Sequence, residues 1–130
     1  PMLSVRLFLI VQILTLAGFG LAYFVRPQET ANLSGMLLMA PAALTDVRAY
    51  YGGLQLGLAA WLGLALLRGD LLRPALMLLV LLYSALFLAR LGGLWLDGGA
   101  QQTFNLYAML FEGVSAALAF WLLRGRSAAA

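Results

Sequence analysis

"TDVRAYYGGLQLGLAAWLGLALLRGD", residues 45–70, decides the fold. Thr45 or Asp46 is placed to cap a helix, and from there to Leu67 no proline and no further acid interrupts the run. A helix of that length and apolarity matches the roughly 30 Å hydrocarbon core of a bilayer, which takes about 20 residues to cross. Arg68-Gly69-Asp70 then closes a tight turn, and Asp70 can cap the helix that follows. Two apolar helices joined by so short a turn pack antiparallel. The beginning of the stretch is the anomaly: an acid, an arginine, two tyrosines and a glutamine stand where a membrane span should be plain.

The same length rule assigns the rest of the chain. Of the 130 residues 64% are hydrophobic and 10% charged, which is a membrane protein's composition and leaves no room for a separate soluble domain. Four spans are expected, at about 3–25, 46–67, 72–96 and 103–123, with an outer loop over 26–45. The first ends at Arg26-Pro27 and the third tolerates Pro74 in its first turn. The expected fold is an all-α integral membrane four-helix bundle. Pro1 reads as a tag remnant before a native Met2, and the first apolar run reads as a retained span rather than a signal peptide.

All eight basic residues are arginines, giving a net charge of +3. Arg6, Arg68, Arg73, Arg124 and Arg126 fall on one side of the expected bundle and only Arg26 is clearly in an opposite loop, so both termini are expected in the cytoplasm. Trp61 and Trp121 toward that face, with Trp95 toward the other, suit interfacial belts. Arginine at span ends fits membrane orientation rather than a nucleic-acid surface, so no nucleic-acid partner is expected. The absence of lysine beside abundant Arg, Ala, Leu and Gly points to a bacterial inner membrane. In the loop, Leu37 to Leu44 is too apolar for a watery linker and is expected to lie at the interface, as an anchor before a lid.

Neither cysteine nor histidine occurs, which removes disulfides, thiol redox chemistry and imidazole metal ligation; no metal site and no cofactor is expected. What remains is a set of polar groups inside the spans. On a regular helix Arg48, Tyr51, Gly52, Gln55 and Ala59 share one face, and Gly53 with Gly57 forms a small-residue strip beside it. Intramolecular packing is the favoured use of that strip and a dimer or partner contact the other. In the third span the charge-free run from Pro74 to Ala89 is too short to cross alone, so Arg90 is expected inside the membrane on a face with Tyr83 and Phe87. Glu112 lies about 14 Å along the fourth span. Side chains lean toward the amino end of their helix, so on oppositely directed helices Arg90 and Glu112 lean toward each other and are expected to pair, with Arg48 the second choice. Gln12, Thr15, Gln55, Asn105 and Ser115 are expected to line the same interior.

The stretch "DVRAYYGGLQLGL" followed by a midspan glutamate resembles a family of small bacterial four-helix membrane proteins, the domain of unknown function numbered 4345, which is similar in layout to DoxX-like proteins. The resemblance spans the chain and rests on Asp46, Arg48, Tyr51, Gly52, Gly53 and Glu112. It implies a four-helix fold with a polar cluster built from those residues, and no activity. The likeness to four-helix membrane proteins that hold sterols or other lipids is one of architecture alone.

Three functions are open at this point. The first is a polar pocket binding a lipid or small amphiphile through Arg48, Tyr51, Gln55, Tyr83, Arg90 and Glu112. The second is a structural or accessory subunit docking through the Gly53/Gly57 face, as a homo-oligomer or with another membrane protein. The third, an enzyme using Glu112 as acid or base, lacks support from any other residue, so no catalytic residue is assigned.

Overall fold

The computed structural model describes residues 2–127, with side chains described to residue 125. Pro1, the alanines after Ser127 and the side chain of Arg126, which enter the expectations above, lie outside the described residues. Every described element is helical: α1 (Met2–Val25), α2 (Pro27–Ala31), α3 (Pro41–Leu67), α4 (Leu72–Asp97) and α5 (Thr103–Ser127), with single 3₁₀ turns at Asn32–Ser34 and Gly69–Leu71. Four of these, α1, α3, α4 and α5, are long and apolar enough to cross a membrane. They form two compact units, residues 1–69 and 70–130.

In the first unit α1 packs along α3. Its buried positions, Val5, Phe8, Leu9, Gln12, Leu16, Gly20 and Tyr23, recur at three and four residues, the stripe that one neighbouring helix covers. The helix stops where Arg26 leaves helical geometry, and Pro27 begins α2 at a position where its missing N–H is no loss. The buried Thr30 hydroxyl then sits 3.0 Å from the Ala22 carbonyl and 2.7 Å from that of Arg26, a second donor to carbonyls that already accept the N–H groups of Arg26 and Thr30. Met36 and Leu38 turn inward onto a small core of Tyr23, Ala31 and Val47. Their neighbours Leu37 and Met39 face outward, 72% and 86% exposed, the alternation of an extended segment.

Helix α3 departs from the expected second span in two ways. It begins at Pro41 rather than near Asp46, because proline with its fixed φ suits the first helical position after an extended Ala40. The outer loop is correspondingly shorter. It is also not α-helical throughout: Arg48–Gly53, "RAYYGG", forms a π-helical segment, and the Leu54 N–H bonds back to the Ala49 carbonyl, five residues earlier. Buried positions register the wide turn, since Val47 and Gly52 are separated by five residues, whereas Ala59, Leu62 and Ala65 recur at three.

That wide turn changes which glycines make the close contact. A Cβ on Gly52 would stand 3.2 Å from the Gly20 carbonyl oxygen and from the backbone N of Phe24; one on Gly20 would stand 3.1 Å from the Gly52 oxygen. The close crossing of α1 and α3 is therefore Gly20 against Gly52. Nothing lies within 4 Å of a Cβ on Gly57, and Gly53 has only the Arg48 carbonyl of its own helix at 3.8 Å, so the expected packing role of the Gly53/Gly57 strip is not what holds this hairpin.

The second unit is a hairpin of α4 and α5, which pack along one another. Leu72, Ala75, Leu76, Leu79 and Tyr83 are buried on α4, and Glu112, Ser115, Ala119 and Leu122 on α5, again at helical spacing. The connecting turn passes through Gly98 at φ 85, a conformation in which a side chain would be strained. Close approach recurs here, since a Cβ on Gly113 would meet the Phe87 ring at 3.1 Å. Near the far end of the hairpin Arg73 Nη1 donates to the Leu123 carbonyl at 3.3 Å.

Candidate functional site

The α4–α5 hairpin carries a continuous hydrogen-bonded chain of polar side chains. Arg90 Nε lies 2.9 Å from both carboxylate oxygens of Glu112. Arg90 Nη1 donates to Asn105 Oδ1 at 2.5 Å, Asn105 Nδ2 donates to Gln102 Oε1 at 2.6 Å, and Gln102 Nε2 donates to the Gly98 carbonyl at 3.1 Å. The helix period makes this possible: Asn105 and Glu112, seven residues apart, stay on the side of α5 that faces α4, and Gln102, just before the helix, stands three residues ahead of Asn105. The chain runs from the connecting turn to Glu112, the tenth residue of α5 and thus about 14 Å along it.

The opposed side-chain leans correctly anticipate the Arg90–Glu112 pair. Its two members differ in access: the carboxylate side chain is 6% exposed and the guanidinium side chain 28%. A carboxylate so buried has to be matched by a cation, and Arg90 does so with one N–H. A guanidinium has five N–H donors in a planar fork. Two are used, on Glu112 and Asn105, and the remaining three have no acceptor among the described residues. Phe104 lies beneath the guanidinium carbon, 6.0 Å from ring centroid to Cζ. One helical face further along α4, buried Tyr83 meets Phe111 edge to face at 5.8 Å.

Arg48, Tyr51 and Gln55 belong to the first unit and are engaged there. Arg48 Nη1 donates to the Phe24 carbonyl, one of the last in α1, and its guanidinium lies 5.8 Å from the Phe24 ring. A cation at a helix C-terminus is favoured by the helix dipole. The Tyr51 ring lies tilted against Tyr23, centroids 5.1 Å apart, and the Gln55 amide donates to the Tyr51 carbonyl at 2.8 Å, supplying a donor inside the π-helical segment. Arg48 and Tyr51 therefore meet the end of α1, and Gln55 serves the widened turn. Thr15 likewise donates to a carbonyl of its own helix, Val11, at 2.9 Å. Gln12 and Ser115 are buried, at 2% and 3% exposure.

Of the six expected site residues the structure thus places three in each unit, and it adds Asn105 and Gln102 to Arg90 and Glu112. Gln102 was missed as a site residue; its signal is the i, i+3 spacing to Asn105 at the start of a helix, a pair that can bond side chain to side chain. No cluster of metal-ligating side chains occurs among the described residues.

Four apolar helices with a charge pair inside two of them define a multi-pass helical membrane protein. The family described as a domain of unknown function (DUF4345) matches residues 4–123, and the chain belongs to that family. No curated protein and no solved structure matches the chain.

Proposed function

We propose that the protein binds a membrane lipid or small amphiphile, holding an acceptor oxygen of its head group at Arg90 on the α4–α5 hairpin. The observation that carries this reading is the guanidinium itself: inside a membrane helix, partly exposed, with three N–H donors that no described residue accepts. Unused donors in hydrocarbon are costly, and an acceptor from the lipid phase relieves that cost. A helix clamp alone needs only the Glu112 contact. Asn105 holds the guanidinium in position, is itself held by Gln102, and leaves three N–H groups for an incoming acceptor.

Arg90→Lys separates binding from folding. An ammonium keeps the charge opposite Glu112 but loses the planar fork. Native mass spectrometry of the wild type released from mild detergent should show a bound lipid mass, and Arg90→Lys should lose most of it while retaining the wild-type helical circular dichroism. Equal lipid occupancy in the two proteins would refute the reading.

A second reading has one observation in its favour: Gly53 and Gly57 are exposed, and nothing lies near a Cβ on Gly57, so that face of α3 is smooth enough for a helix of a partner or a second copy. It makes the protein an accessory subunit.

The distribution of arginine supports a bacterial inner-membrane location with both termini in the cytoplasm. Alkaline phosphatase fused after Ala130 should then be inactive and a fluorescent protein at the same point bright. The opposite pattern would overturn the orientation and leave the helix count untouched.

A further inference from the structure

We propose that the head group held at Arg90 is uncharged, an acceptor oxygen of a hydroxyl, ester or keto group such as a diacylglycerol presents, and not a phosphate. This rests on the binding reading above and narrows it. Three observations carry it. The positive charge of Arg90 is already met, since its Nε faces both oxygens of Glu112 at 2.9 Å. The part of the hairpin around the site, residues 84–113, contains one cation, Arg90, and two acids, Asp97 and Glu112, a net charge of −1. The other members of the cluster, Asn105 and Gln102, are neutral amides that spend their contacts on Arg90, on each other and on the Gly98 carbonyl. An incoming anion therefore meets no unbalanced positive charge in this part of the hairpin. It would also lose its hydration on the way in.

Position argues the same way. A second cation beside the first would favour a phosphate. Arg73, the nearest other arginine on α4, is seventeen residues from Arg90, about 25 Å along the helix, and donates to Leu123 near the opposite end of the hairpin. Arg90 itself lies seven residues before the end of α4 at Asp97, about 10 Å along the axis. A lipid phosphate would have to leave the head-group plane to reach it. The hydroxyl and ester oxygens of an uncharged glyceride already sit below that plane. What the site offers is donors without net charge, which is the complement of a neutral oxygen.

The test uses delipidated full-length protein in detergent, with thermal unfolding followed after addition of dioleoylglycerol or dioleoylphosphatidic acid at equal mole fraction. The two lipids share acyl chains and differ in the phosphate. Binding to the folded state raises the midpoint by mass action. The expected result is a rise of several degrees with dioleoylglycerol, a clearly smaller one with phosphatidic acid, and no rise with either for Arg90→Lys. A rise with phosphatidic acid equal to or larger than that with dioleoylglycerol, absent in Arg90→Lys, overturns the neutral class while leaving Arg90 as a binding residue. No rise with either lipid in the wild type, or equal rises in wild type and Arg90→Lys, overturns both.

Discussion

Arg90→Ala should be the most destabilising single substitution in the second unit, lowering the melting temperature in detergent far more than Glu112→Gln does. The asymmetry follows from burial. Glu112 is 5% exposed, so removing its cation strands a carboxylate away from water. Breaking a buried pair from one side costs about 3 to 5 kcal/mol, a shift on the order of 10 °C for a domain of this size. Glu112→Gln keeps an acceptor oxygen opposite Arg90, and the guanidinium it leaves unpaired is 28% exposed and can find water or lipid oxygen. If both variants melt like the wild type, the pair does not bear on folding. If Glu112→Gln is the worse, the carboxylate has a second role that its amide cannot fill.

Gly52→Leu should be the corresponding lesion in the first unit. Its Cβ alone would press on the Gly20 carbonyl and the Phe24 backbone at 3.2 Å, and backbone cannot move aside as a flexible side chain can. Overpacking of this kind costs about 1 to 3 kcal/mol, more when the obstacle is rigid. Arg48 would be drawn off the Phe24 carbonyl in the same movement. Gly57→Leu, on open space, should leave the melting temperature within a degree or two of the wild type. Size-exclusion chromatography of that second variant also bears on the accessory-subunit reading: an oligomer lost without loss of stability favours it. Equal stability of Gly52→Leu and wild type would mean that α1 and α3 do not cross at these glycines.

The contrast between those two glycines marks where the chain is legible and where it is not. The presence of four long apolar helices and the proximity of Arg90 to Glu112 follow from hydrophobic length and the fixed direction of helical side chains, both of which survive any detail of packing. The π-helical segment does not announce itself. "RAYYGG" contains no proline and no residue that dictates a five-residue hydrogen bond, so a regular period is carried through it. One extra residue in a turn rotates every later position by about 100° relative to earlier ones. Hence Gly52, assigned to a polar face, sits in the close contact, and Gly53 with Gly57, assigned to packing, does not. Gly20 was readable in principle from "AGFGLAYF" in α1, but a glycine's partner lies on another helix and no local pattern names it. The start of α3 differs from the expected one for a simpler reason: Pro41 stands in the first turn of the helix, where proline fits best, and not in the loop.

The same limit applies to the site. Arg90 and Glu112 could be joined from sequence because they stand on consecutive, oppositely directed helices whose side chains lean toward each other. Arg48, Tyr51 and Gln55 could not be assigned, because carbonyls at a helix end or in a wide turn compete for polar side chains and a sequence does not show which carbonyls are left without a partner.

Nitrogen-15 NMR of the Arg90 guanidinium, assigned through Arg90→Lys, reports whether this side chain holds a lipid oxygen, with spectra taken before and after delipidation in the same detergent. Arg90 using its free edge to hold a lipid oxygen predicts that the Nη resonances move and their protons exchange faster once lipid is removed, while the Nε resonance, held by Glu112, stays in place. Identical Nη signals in the two preparations, each checked for lipid content, would contradict it and leave Arg90 and Glu112 as a clamp between two helices.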